Sequence, residues 1–362
     1  MPFTALFLRA RGFGVGEIGG TLAAMSLAGF LSGPWWGLAA DRRLGHERAL
    51  TLIAGGAVPL ALLVWALPGG LPLAVACVAL WAWKAPQTGI ADAVALGRLG
   101  GRRAGYGSIR LWLSGGFAVM TIVWGALLQV GGAGLAPLAY ASMLAVVALF
   151  STRLMRSGRA EQREAEEPAG RADVRARRSL IALAVFLGSL FLLQAGYFAA
   201  QNFFALRIVD LGGGALLVGV GNALQAGVEV SVMAWTSARS NRRSPIALFA
   251  IGCVLWMVVF AGWAVLASVE GAVLVNILGG VAFALTAVST VVIVDELVPL
   301  RLRATGQTLA RAIGGGLAPV VGLAAGGLLY GAAGSGPMFA VTAASAGLAA
   351  VAASVVLIRA HR

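Results

Sequence analysis

The sequence predicts an all-α protein that crosses a membrane many times. Hydrophobic residues make up 59% of the 362 residues and charged residues only 11%, and long apolar runs recur from one end of the chain to the other. No soluble core encloses this much apolar surface, whereas a run of about 20 apolar residues spans the hydrocarbon layer as a helix. A bundle of transmembrane helices is therefore expected.

Eleven of the apolar runs are long enough to cross the membrane completely, and short polar loops separate them. In chain order, these predicted helices cover residues 17–40, 48–67, 71–96, 107–130, 135–155, 179–207, 213–236, 245–267, 270–294, 304–331 and 336–358. The segment Met1–Ala10 is apolar but only half as long as a span, and it lacks the basic region and cleavage site of a signal peptide. We expect it to be the end of a truncated first helix, and we favour a start site placed too late over a true eleven-helix protein.

A single long hydrophilic segment, residues 156–178, divides the chain into two parts. Its mixed charge and lack of apolar periodicity are typical of a linker, with a short surface helix expected at its AEQREAEE stretch. The predicted N-terminal helical bundle covers residues 1–155 and includes the truncated helix, and the predicted C-terminal bundle covers residues 179–362. Each bundle then contains six helices.

The arginines predict how the chain is oriented. Of the 26 arginines, 22 lie in alternate loops, in the linker or at the C-terminus, whereas the intervening loops hold only Arg9, Arg11 and Arg207. By the positive-inside rule, the arginine-rich loops and the C-terminus face the cytoplasm, as expected for a multi-pass protein of an inner membrane. The two ends of the bundle are called the arginine-rich end and the arginine-poor end below.

Several function classes are disfavoured by the composition. The net charge of +13 comes from arginines in alternate loops, and those loops contain few aromatic residues. The charge therefore reflects the orientation of the chain in the membrane rather than nucleic-acid binding. His46 and His361 lie outside the predicted spans, and Cys77 and Cys253 lie in separate spans without CxxC spacing. Neither a metal site nor a nucleophilic catalytic site is expected, so the chain is predicted not to be an enzyme.

Lys84, the only lysine, lies near the middle of the predicted span 71–96. A cation at membrane depth costs roughly 2.5–3.5 kcal/mol on insertion scales, so it is seldom left there without a partner or a function. Gln87 is its neighbour, whereas Asp92 is about 12 Å further along the helix and too distant for a direct ion pair. The expected counter-charge is Glu229 in the other bundle or a substrate anion, and a structural ion pair or a snorkelling lysine is the alternative.

Two polar stripes run along neighbouring helices of the second bundle. Asn222, Gln225 and Glu229 recur at helical spacing on one predicted helix. The preceding helix carries a similar stripe formed by Gln194, Tyr197 and Gln201. Polar faces of membrane helices turn inward, so we expect these residues, with Lys84 and Gln87, to bind substrate. Glu229 carries a proton in this interpretation, or merely fills a helix interface while protonated.

Four segments resemble a known transporter superfamily. Residues 37–48 (GLAADRRLGHER) resemble the loop signature of the major facilitator superfamily, with one extra residue before Gly45. Residues 106–117 (YGSIRLWLSGGF), 218–229 (VGVGNALQAGVE) and 299–307 (PLRLRATGQ) are similar to elements of its branch of phenylpropionate, nucleoside and lactose-type proton symporters. Leu113 departs from the usual glycine, and Asn276 and Gly279 stand where glutamine and histidine are common.

The resemblance implies a major facilitator fold of two six-helix bundles that move solute by alternating access, with Glu229 as the proton-coupling residue. Charged residues at the cytoplasmic surface are expected to act as gates in this arrangement. Asp41 with Arg110 forms the predicted latch, Arg42 belongs to the same loop, and Asp92 is divided between gating and folding roles.

The predicted function is secondary active transport of a small organic solute, anionic or aromatic, across the inner membrane. The proton gradient supplies the energy, no cofactor is required, and the partners are the solute and the lipid bilayer, with a monomer expected. Proton-driven efflux of a drug or sugar on the same fold is one alternative. A membrane sensor or degenerate remnant that does not transport is another, and the truncated first helix supports it.

Overall fold

The computed structural model describes residues 2–98, 103–156, 176–239, 244–298 and 302–360, and the regular structure of this part of the chain is helical. In chain order the helices are α1 Thr4–Ala10, α2 Val15–Ala39, α3 His46–Ala66, α4 Gly70–Lys84, α5 Gln87–Arg98, α6 Arg103–Gly131, α7 Ala136–Arg156, α8 Ala176–Asp210, α9 Ala215–Arg239, α10 Pro245–Val265, α11 Val269–Leu274, α12 Asn276–Leu297, α13 Arg303–Arg311, α14 Ala318–Ala333 and α15 Ser335–Ala360. The helix predicted within the linker lies outside the described residues.

Ten helical stretches of the described chain are long and apolar enough to cross a membrane. The predicted run 71–96 is missing from these ten because it breaks into α4 and α5. The break falls at Ala85 and Pro86, where proline removes a backbone donor and clashes with the preceding turn. The predicted helix 304–331 is also not uniform, since a π-helical turn, Ala312–Leu317, joins α13 to α14.

The turns that follow α1 and α8 have the same geometry. Gly12 and Gly212 both adopt a left-handed conformation, with φ of 84° and 86°. The amide of the next residue donates to a carbonyl five residues back in both turns, over 3.1 Å from Phe13 to Leu8 and 2.8 Å from Gly213 to Ile208. Glycine accepts this conformation without the steric cost that a side chain adds. Both helices therefore end in the same glycine-dependent cap.

Glycine allows the two halves to touch closely. Helix α2 packs against α14, and α6 packs against α9. A Cβ atom at Gly19 would lie 2.5 Å from the Cα atom of Gly327, and one at Gly219 would lie 2.2 Å from the carbonyl oxygen of Thr121. Small residues let membrane helices approach to backbone contact, and no larger side chain fits at these crossings.

The halves separate toward the arginine-rich end. Gly37 lies 18 residues beyond Gly19, which is about five helical turns and returns it to the same face of α2. A Cβ atom at Gly37 would meet nothing within 4 Å, in contrast to the close contact at Gly19. The structure is thus closed between its halves at the arginine-poor end and open at the arginine-rich end.

Candidate functional site

Aromatic rings surround the ammonium group of Lys84. Its Nζ atom lies 3.8 Å from the ring centroid of Trp81 and 5.2 Å from that of Tyr140 on α7. Among the described side chains, no carboxylate oxygen lies within 4.0 Å of it. The expected pairing of Lys84 with Glu229 is therefore absent in this state, and the rings stabilise the cation through their electron-rich faces.

A cavity of about 530 Å³ lies beside Lys84 in the first half of the molecule. Its walls are mostly apolar and aromatic side chains of α1, α2, α4, α6 and α7, among them Phe7, Met25, Trp112, Phe117 and Met143. Lys84 is the one charged residue among the described lining residues. The indole nitrogen of Trp124, another lining residue, is buried and has no described acceptor. The cavity thus combines an apolar body with one cation.

Side chains of the two polar stripes meet between α8 and α9. The Nε2 atom of Gln201 donates a hydrogen bond to Oε1 of Gln225 over 2.8 Å, and Gln225 is buried. The Tyr197 side chain lies near those of Gln225 and Glu229. The structure therefore brings together four of the predicted residues: Tyr197, Gln201, Gln225 and Glu229.

The other predicted binding residues do not join this network. Asn222 donates to the carbonyl oxygen of Val218 in its own helix over 2.8 Å. Gln194 packs near Gly314, at which a Cβ atom would lie 3.4 Å from the Gln194 Cγ atom. Gln87 is partly buried and begins α5, directly after the break that follows Lys84.

An aromatic wall, which no sequence pattern indicated, stands next to the polar network. Tyr197 packs edge-on against Trp256, with ring centroids 4.9 Å apart. A Cβ atom at Gly279 would lie 3.3 Å from the Trp256 ring and 3.5 Å from Oε1 of Gln225. Gly279, which stands where histidine is common, therefore leaves room for the ring of Trp256. Asn276, the other departure, is buried, and its Nδ2 atom has no described partner.

The predicted gate residues lie at the open end. Asp41 is exposed in a π-helical turn, Ala40–Leu44, and its Oδ1 atom lies 3.0 Å from Nε2 of His46, the first residue of α3. Arg42 is exposed, and Asp92 is partly buried on α5. The side chain of Arg110 lies outside the described part of the chain, so the predicted Asp41–Arg110 latch stays a prediction.

An ion pair joins the halves at the closed end, and the sequence reading missed it. The Nη1 atom of Arg9 lies 2.9 Å from Oδ1 of Asp210, and the Tyr330 hydroxyl donates to Oδ2 of the same carboxylate. These residues come from α1, α8 and α14. The signal available in the sequence was that Arg9 is one of only three arginines at this end.

Comparisons with known proteins agree with this fold. Residues 1–341 match the MFS_1 like family. The chain is 26% identical over 287 residues to the maltose permease of Geobacillus stearothermophilus, an alignment that covers 78% of this chain and 71% of the permease.

Solved transporter structures share the fold along nearly the whole chain. The nucleoside transporter NupG superposes with a TM-score of 0.74 at 16% identity, covering 99% of this chain and 94% of that one. A POT family transporter in complex with 5-aminolevulinic acid gives 0.74 at 13% identity, covering 99% and 92%. The human organic anion transporter MFSD10 gives 0.58 at 16% identity, covering 96% and 87%. The chain belongs to the MFS_1 like family, and it is a multi-pass membrane protein and a secondary transporter rather than an enzyme.

Proposed function

We propose that this transporter moves a small organic anion across the inner membrane as a monomer and couples the movement to protons. The observation that carries the proposal is the placement of Lys84, a cation beside an apolar cavity with no carboxylate among the described side chains to neutralise it. A solute carboxylate supplies the missing negative charge, and the aromatic and thioether side chains of the wall suit an apolar or aromatic body.

Glu229 carries the proton in this scheme. It is partly buried on α9, next to the neutral network of Tyr197 and Gln225. A charged carboxylate inside a membrane bundle has a high free energy. Uptake of a proton neutralises Glu229 and so lowers the free energy of the state in which the bundle is closed around it. The arginine-rich end and the C-terminus face the cytoplasm under the positive-inside rule, and the state described here then opens to the cytoplasm.

Two of the similar proteins support an anionic substrate through what they are named to bind. MFSD10 is an organic anion transporter, and the POT family structure holds 5-aminolevulinic acid, which carries a carboxyl group. The maltose permease favours a second candidate, a neutral hydroxylated solute. The hydrogen-bonded amides of Gln201 and Gln225 support that candidate, because amides donate and accept bonds with hydroxyl groups.

Uptake into proteoliposomes under an imposed pH gradient tests the proposal. A panel of aromatic and aliphatic carboxylates is compared with mono- and disaccharides, in the wild type and in Lys84→Met, Lys84→Arg and Glu229→Gln. We expect carboxylate uptake whose KM rises at least about tenfold in Lys84→Met and is largely kept in Lys84→Arg, in line with the loss of one desolvated charge pair. Glu229→Gln should retain exchange of solute but lose accumulation driven by the gradient. Saccharide uptake that is indifferent to Lys84→Met would replace the anion with the second candidate.

A further inference from the structure

We propose that Arg9, Asp210 and Tyr330 form a latch that holds the two halves together at the arginine-poor end and must open each time the transporter exposes its cavity there. The inference rests on the proposed transport function, since only a protein that alternates between two open states needs a releasable closure. The three residues belong to α1, α8 and α14, so the latch joins the first half to two helices of the second.

The carboxylate of Asp210 is the centre of the latch. One oxygen accepts from the guanidinium of Arg9 over 2.9 Å, and the other accepts from the hydroxyl of Tyr330. A carboxylate that receives a charge-assisted and a neutral hydrogen bond on separate oxygens is held in both position and orientation. Opening this end of the bundle separates Arg9 from Asp210, because they sit on different halves.

The other two arginines at this end have a different task. Arg11 donates to the carbonyl oxygens of Trp65 and Leu67, which belong to its own half. Arg207 donates to the carbonyl oxygens of Trp263 and Leu266 and to the hydroxyl of Ser335, all in the second half. Of the three arginines, only Arg9 therefore reaches a described partner in the opposite half.

The latch lies beside a close glycine contact between the halves. Tyr330 is next in sequence to Gly331, which packs near Gly16, and three residues beyond Gly327, which packs against Gly19. The glycines of α2 and α14 pack by shape alone, because glycine has no side chain that could form an ion pair or a hydrogen bond across the crossing. The ion pair adds a directional interaction at its edge, and it holds the halves closed only at the end where the structure is closed.

The exposure of the pair suits a contact that breaks and forms repeatedly. The side chains of Arg9 and Asp210 are 43% and 28% exposed, so water replaces each lost hydrogen bond when the halves part. An ion pair of this kind contributes little to overall stability, which keeps the open and closed states close in free energy. Tyr330 is only 6% exposed and lies in the same half as Asp210, so its hydroxyl holds the carboxylate in the orientation that Arg9 meets when the halves close again.

Cysteine labelling measures the latch without any solute. Cys77 and Cys253, both buried, are first replaced by alanine, and Ala23→Cys is added as the reporter. Ala23 lies one turn beyond Gly19 on the same face of α2 and is 6% exposed, so a thiol there becomes reactive when the arginine-poor end opens. The rate of maleimide labelling of this protein in lipid nanodiscs is then compared among latch variants.

We expect Arg9→Ala, Asp210→Asn and Tyr330→Phe to raise the labelling rate by about fivefold, the size of a typical coupling between sites. The charge-exchanged double variant Arg9→Asp with Asp210→Arg should return toward the parental rate. Arg11→Ala is the matched control, since it removes a neighbouring arginine that stays within its own half, and its rate should match the parent. Tyr330→Phe, which removes one hydroxyl, keeps the test valid if the charge variants fold poorly.

Two results would overturn the latch. One is an unchanged labelling rate in Arg9→Ala and Tyr330→Phe, and the other is an equal rise in Arg11→Ala, which would indicate general loosening of this end. Because labelling requires no substrate, the predicted rates together with an absence of solute uptake would count against the proposed function and leave the latch standing.

Discussion

Arg11 and Arg207 perform the same task in the two halves of the molecule. Each guanidinium donates to two carbonyl oxygens at the C-terminal end of a helix in its own half, α3 for Arg11 and α10 for Arg207. The last carbonyls of a helix lack partners within the helix and carry a partial negative charge. A cation that caps these carbonyls is stabilised by them, which accounts for two of the three arginines at the arginine-poor end.

Arg207→Ala should destabilise the protein by about 2 kcal/mol, because it removes charge-assisted hydrogen bonds from a partly buried position and leaves the carbonyl oxygens of Trp263 and Leu266 uncapped. The unfolding temperature in detergent should fall by several degrees. Leu183→Ala, a loss of apolar bulk on the same helix far from these caps, provides a comparison for ordinary truncation. An unfolding temperature equal to that of the wild type would contradict the capping role.

Gly19→Val should destabilise the contact between the halves by about 1–3 kcal/mol, the usual cost of overpacking. The first atom of the new side chain would lie 2.5 Å from the Gly327 backbone, so the helices must move apart. Gly37→Val is the matched control, on the same face of α2 but with open space around it. Unfolding temperatures of the two variants are compared, and equal losses would show that the close crossing is unimportant.

The two halves should close at the arginine-rich end in a defined register. Helix α2 contacts both the π-helical turn and α14. The contacting pairs are Gly16 with Gly331, Gly19 with Gly327 and Phe30 with Gly316. In each pair the two residue numbers add to 346 or 347. Extending that register pairs the exposed residues Leu38 and Thr308. A disulfide between Leu38→Cys and Thr308→Cys should form slowly, as the open end transiently closes, and should then block transport.

Leu38→Cys with Leu309→Cys is the control for that cross-link, because Leu309 is exposed but lies about 100° further around α13. Oxidation followed by gel analysis and solute uptake measures both pairs. Faster cross-linking of the control pair would show that the register is wrong.

Lys84→Met should change stability by no more than about 1 kcal/mol, because the lost contact between the cation and the rings is offset by relief of the cost of burying the charge. Breaking a buried ion pair would cost about 3–5 kcal/mol, so the measurement separates the two environments. Lys84→Arg keeps a cation over Trp81 and Tyr140 and should unfold close to the wild-type temperature. A large loss in Lys84→Met would indicate a carboxylate partner in the folded protein.

The class of the protein and the order of its helices were predictable because apolar run lengths report membrane spans directly. The resemblance to the major facilitator superfamily is confirmed by the family match. The break after Lys84 was missed because the apolar run continues through Pro86, although proline was its visible signal. The contact between Lys84 and Trp81 could have been predicted from the spacing, since residues three apart share a helix face.

Contacts between distant parts of the chain were not predictable in the same way. Helical spacing placed Gln201 and Gln225 each on a polar stripe, but their hydrogen bond depends on how α8 rotates against α9. Arg9 and Asp210 are 201 residues apart and have no periodic relation. Only the packing of the two halves brings them together, and one sequence contains no record of that packing.

The break between α4 and α5 places two helix ends inside the membrane. Lys84 is the last residue of α4, where the aligned peptide dipoles leave about half a negative charge on the free carbonyls. Gln87 is the first residue of α5, where they leave a similar positive charge on the free amides. The backbone of Lys84 therefore stands at the negative pole of one helix, and this partial charge adds to the stabilisation that the rings of Trp81 and Tyr140 give its ammonium group.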